Sequence, residues 1–132
     1  EFFAIDSDRG RIGWRYESTE RAAAFRSSAA ITAEAVYVGS RDKKLHALDI
    51  YSGRLLWAFT AQGRIDSSPV VVGDRLFFGS ADGRLYAVDR PTGARRWQFE
   101  AGGAVVASPA VAQGRLVIGT DAGDLYCFGG KK

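Results

Sequence analysis

Along the 132-residue chain, apolar and polar side chains alternate in short runs that stop at glycine, aspartate or proline. A period of two puts successive side chains on opposite faces of a strand, whereas a helix needs apolar positions three and four apart. Residues 67–72, 75–80, 84–89 and 94–99, rich in Val, Phe, Leu, Tyr and Trp, are therefore expected to be strands. Between them Gly73-Asp74 and Asp82-Gly83 are hairpin dipeptides. Residues 89–93 (Asp-Arg-Pro-Thr-Gly) combine an Asx side chain, a proline of fixed φ and a glycine. Breakers at this density leave no room for a helix. The alanine-rich stretch 20–25 is read as a local loop insertion holding at most one helical turn. The expected fold class is all-β.

The pattern also recurs at long range. Trp14, Trp57 and Trp97 are 43 and 40 residues apart, and Asp6, Asp49 and Asp89 keep that spacing, as do Gly10, Gly53 and Gly93. Ser28, Ser68 and Ser108 recur every 40 residues, as do Gly39, Gly79 and Gly119. A period near 40 belongs to paired helices or to the four-stranded blades of a β-propeller, and the strand pattern selects the blades. The whole chain, 1–132, reads as one propeller segment with units at approximately 2–44, 45–84 and 85–128 and a tail at 129–132. With strands lettered A to D outward from the axis, the order is C-D, A-B-C-D, A-B-C-D, A-B-C, thirteen strands in all. Closed propellers carry about four to eight blades, so the segment is an incomplete ring. Either it belongs to a longer chain, or copies join through their unfinished end blades.

The repeated residues carry a resemblance. Leu85-Tyr86-Ala87-Val88-Asp89 with Thr92-Gly93 and Trp97, followed by Ser108-Pro109-Ala110-Val111, resembles the repeat of the pyrroloquinoline-quinone-like (PQQ-like) propeller family. Leu45-His46-Ala47-Leu48-Asp49 with Gly53, Trp57 and Ser68-Pro69 repeats it. So does Phe2-Phe3-Ala4-Ile5-Asp6 with Gly10 and Trp14, with Ala29 where the other copies have proline. The resemblance implies that each Trp docks on the neighbouring blade, with the Asp and Gly positions structural as well. Quinoprotein dehydrogenases of this family imply a calcium ion held by Glu, Asn and Asp, a catalytic Asp and two adjacent cysteines. This chain has no Asn and one cysteine, so neither catalysis nor bound quinone or calcium is expected of it. Other members scaffold proteins at the bacterial outer membrane or serve as sensors on kinases. They imply a protein-binding role and an extracytoplasmic or periplasmic location. A fragment of a quinoprotein dehydrogenase and a module that assembles into rings are the alternatives.

Composition narrows the chemistry further. The net charge of +3 comes from 18 basic and 15 acidic residues spread along the chain, not clustered as nucleic-acid binding requires. No apolar run is long enough to cross a bilayer, and the N-terminal residues read as the middle of a repeat, not as a signal peptide. Arginine outnumbers lysine 14 to 4, as in GC-rich bacterial genomes. Cys127 stands where other repeats have Ala47 and Ala87, so a small buried residue is expected there. His46, the single histidine, replaces Tyr86 and Phe3 and reads as structural. Asp121 and Asp124 share a turn that elsewhere reads Ala81-Asp82-Gly83-Arg84, too few oxygens for calcium. The loops between blades and between strands B and C carry Arg21, Phe25, Arg26, Arg41, Lys43, Arg64, Asp66 and Arg84. Arginine and aromatic side chains are frequent interface anchors, which makes Arg21, Phe25, Arg26, Arg64 and Arg84 the candidate partner contacts.

Overall fold

A computed structural model describes residues 1–21 and 23–129. Among them are thirteen strands and no helix. β1 (Phe2–Ile5) and β2 (Ile12–Tyr16) form a hairpin. β3 (Ala30–Ile31), β4 (Ala35–Gly39), β5 (Lys44–Asp49) and β6 (Leu55–Thr60) form a four-stranded antiparallel sheet in chain order, blade I. Blade II repeats it with β7 (Val70–Val72), β8 (Arg75–Gly79), β9 (Arg84–Asp89) and β10 (Arg95–Glu100). Blade III has three strands, β11 (Ala110–Ala112), β12 (Arg115–Gly119) and β13 (Leu125–Gly129). This is the expected C-D, A-B-C-D, A-B-C-D, A-B-C order.

The inner strands are shorter than the alternation suggests, and the serines explain why. β7 begins at Val70, three residues later than expected. The Ser67 hydroxyl accepts the Gly79 N–H at 3.0 Å, the Ser68 N–H crosses to the Ser108 hydroxyl at 2.9 Å, and Pro69 has no N–H to give. The same crossing links Ser28 N–H to the Ser68 hydroxyl at 2.8 Å. Backbone donors that would extend the sheet are used to tie blade to blade.

Burial follows position in the blade. The third strands are covered on both faces: Leu45, Ala47 and Leu48 in β5, and Leu85, Ala87 and Val88 in β9, are all fully buried. The outer strands β6 and β10 bury alternate residues only. Two apolar seams result. Blades I and II close over Tyr37, Leu45, Ile65, Leu76, Phe78 and Val88, and blades II and III over Leu85, Val105, Leu116 and Ile118.

The two ends lack such cover. Leu125 in β13 is 77% exposed although Leu45 and Leu85, its repeat equivalents, are 0% exposed. Cys127, expected to be buried, is exposed. Ala47 and Ala87 are buried because a following blade covers them, and among the described residues no sheet covers the far face of β13. At the other end Ile5 is 63% exposed while Leu48 and Val88 are buried.

Candidate interaction surface

The tryptophans show how one blade is attached to the next. The Asp6–Gly10, Asp49–Gly53 and Asp89–Gly93 turns share one construction, with the glycine N–H donating to the aspartate carbonyl at 2.8, 2.9 and 2.7 Å. The glycines have φ of 63°, 71° and 73°, left-handed values that an L side chain adopts at a cost. Trp14 lies over Gly53 and Trp57 over Gly93, so closely that a Cβ on either glycine would overlap the ring. Each indole Nε1 donates to a carbonyl in the same turn, Trp14 to Ile50 at 2.9 Å and Trp57 to Arg90 at 3.1 Å. Trp97 packs on Phe77 and Phe128 without such a seat among the described residues. The turn aspartates hold their loops: Asp6 accepts from the N–H groups of Asp8 and Arg9, and Asp49 from those of Tyr51 and Ser52. The Ser52 bonds hold the Asp49 carboxyl below its usual pKa. Pro91 deprives Asp89 of the corresponding donor, and Arg96 takes its carboxylate instead at 2.6 Å.

The one histidine sits at the joint between the hairpin and blade I. His46 is 2% exposed; its Nε2 lies 2.9 Å from Asp42 Oδ2 and its Nδ1 3.0 Å from the Tyr16 hydroxyl. Asp42 also accepts from Ser18 at 2.9 Å. Phe25, expected among the loop contacts, instead packs inward edge-on against His46 at 5.6 Å and bridges to Ser40. In blade II the same place is held by Tyr86, whose hydroxyl donates to Asp82 at 2.6 Å; burial and that bond push its pKa up to about 12. His46 thus does a tyrosine's work. Burial holds its pKa below the usual histidine value, against the pull of Asp42. The four-residue spacing of Asp42 and His46 in the sequence, matched by Asp82 and Tyr86, was the available signal for this pair.

The remaining candidates gather on the rim carrying the B–C turns. Asp66 receives Arg41 at 3.0 and 3.2 Å and Arg64 at 2.9 Å. Burial opposes ionisation of Asp66, but the two guanidinium groups outweigh it and lower its pKa. Both arginines remain open to solvent, with side chains 44% and 51% exposed. The Arg41 N–H also donates to Ala24 at 3.0 Å, which brings the loop bearing Arg21 and Arg26 against this pair. Arg21, Arg26 and Lys43 are exposed and make no ion pair among the described residues. Lys43 has φ 69°, in the turn position held by Gly83 and Gly123 in the later blades. Arg84 lies apart from this group, bonded to Glu100 and Gln62.

The donor set does not fit a quinone and calcium site. No Asn is present to complete a Glu, Asn and Asp shell, and Cys127 has no cysteine beside it. Among the described residues no three of His, Cys, Asp and Glu converge on a point where a metal would sit. No helix of the structure is long and apolar enough to cross a membrane.

Comparison with known proteins follows the same lines. The family described as outer membrane protein assembly factor BamB, of PQQ-like repeat type, matches residues 3–131. BamB from Moraxella catarrhalis superposes with a TM-score of 0.85 at 25% identity, over 96% of this chain and 39% of that one. Quinohemoprotein alcohol dehydrogenases superpose with a TM-score of 0.75. The Pseudomonas putida enzyme does so at 21% identity over 83% of this chain and 19% of its own. For the Comamonas testosteroni enzyme the figures are 23%, 89% and 26%. The chain spans less than half the length of each. No curated protein sequence matches it.

Proposed function

The chain belongs to the outer membrane protein assembly factor BamB family, and from that premise we propose that it is a non-catalytic propeller segment that binds other proteins through its B–C rim. It acts outside the cytoplasm as part of a longer bacterial protein. One observation carries this reading: the basic rim at the joint between the hairpin and blades I and II. Arg41 and Arg64 are held in place by one shared carboxylate, with half of each side chain left in solvent. Blades II and III carry Ala81, Asp121 and Ala104 at the equivalent positions, so the basic group does not follow from the repeat. Guanidinium groups already fixed lose little side-chain entropy on meeting a carboxylate. The rim therefore suits an acidic protein surface. Lys43 supports the same view. It holds a left-handed conformation that glycine holds elsewhere, and strain of this kind concentrates at functional sites.

Co-purification from the native bacterium tests this reading. Outer membrane protein assembly components are expected to be retained by the wild-type protein and lost from the Arg41→Glu, Arg64→Glu variant. Equal retention by both would sink the proposal.

A further inference from the structure

The chain contains one tryptophan without a seat and one seat without a tryptophan, at opposite ends. Trp14 and Trp57 lie on Gly53 and Gly93, yet Trp97 faces no turn glycine among the described residues. Conversely the turn at Gly10 has the same φ and the same closing hydrogen bond as the two occupied turns, and a Cβ at Gly10 would meet nothing within 4 Å. From this pairing we infer that Trp97 seats on Gly10 of a second copy of this chain. The β1–β2 hairpin of that copy supplies the third and fourth strands of blade III.

Residue equivalences fix what the hairpin touches. In blade II, Tyr86 and Val88 cover Leu45 and Ala47 of the blade before; in blade III, Tyr126 and Phe128 do the same for Leu85 and Ala87. Phe3 and Ile5 are the hairpin's residues at those positions, and both are exposed, at 40% and 63%. The interface continues one already present twice inside the chain. Ile31 of blade I, 66% exposed, gains cover as well, because β11 and β12 of the first copy then face blade I of the second.

The incoming hairpin and β13 compete for one place, and β13 has the weaker claim. It ends on Gly129 where Asp6, Asp49 and Asp89 close the other turns, and no fourth strand pairs with it. The hairpin brings two strands, an Asp-closed turn and the glycine seat in exchange for one strand. Each copy then contributes three complete blades. A reciprocal exchange between two copies gives six, within the range of about four to eight for closed propellers. A two-fold swap of this kind leaves no unpaired end blade.

Light scattering behind a sizing column, across a concentration series, tests the inference on the whole chain. The expected mass is about twice 14.3 kDa. Trp97 becomes buried on association, so the indole emission shifts to the blue as concentration rises. Ile5→Glu alters a side chain that the single copy leaves in solvent, and Gly10→Val blocks a seat that the single copy leaves empty; both are expected to return the chain to its monomer mass. A monomer at every concentration, or a dimer that survives both substitutions, would overturn the inference. Failure here leaves the rim proposal standing, because neither Ile5 nor Gly10 lies on the rim.

Discussion

His46 shows how one substitution reshapes a joint without changing its plan. The repeat asks for a buried tyrosine that reaches the turn aspartate, as Tyr86 reaches Asp82. Imidazole is shorter, so Tyr16 fills in from β2 and bonds the other ring nitrogen. The result is the one side chain of this fold that titrates near neutrality. Burial lowers its folded pKa below the model value of 6.5, so the unfolded chain binds the proton more readily than the folded one. Stability is then full above about pH 6.5 and declines as pH falls toward the folded pKa. Because His46 is the only histidine, urea midpoints measured from pH 8 to pH 5 are expected to fall below about pH 6.5. A flat profile across that range would show that the ring is not held as described. At this scale the sequence disclosed the periodic residues, the Trp, Gly and Asp positions, because three copies expose them. It did not disclose the Arg41–Asp66–Arg64 group or the inward turn of Phe25. Both arise where the chain leaves its own period, and periodicity is blind there.

Between neighbouring elements, two devices repeat: a serine hydroxyl taking a backbone N–H across the inner strands, and a tryptophan on a glycine turn at the outer strands. They fasten the blade at both its edges. The three turn glycines separate the docking contact from backbone strain. Gly10→Ala and Gly93→Ala impose a similar left-handed penalty, about 1–2 kcal/mol each. Only Gly93→Ala also drives a methyl into the Trp57 ring, adding roughly 1–3 kcal/mol for overpacking. Urea unfolding in dilute solution is therefore expected to show the larger loss for Gly93→Ala. Equal losses would mean that the tryptophan gives way freely and does not weld the blades. Strand order and number were legible in the sequence because breakers mark every turn. The inner strands were overestimated, since alternation cannot reveal that Ser67 and Ser68 spend their hydrogen bonds elsewhere.

For the whole molecule, exposure reports position in the array. Leu45, Leu85 and Leu125 are one residue of the repeat in three settings, buried twice and 77% exposed at the end. The same logic turned Cys127 outward, an outcome the sequence alone could not give because equivalence in a repeat assumes a next blade. The fold is shared with BamB and with quinohemoprotein dehydrogenases alike, and fold does not decide between binding and catalysis. What separates them here is the residue set: a basic rim is present, and the asparagine and paired cysteines are missing. The most direct test of this non-catalytic account is a calorimetric titration of pyrroloquinoline quinone, with calcium, into the chain. The account predicts no saturable heat. A saturable signal at one quinone per chain would contradict it and point to the oxidoreductases.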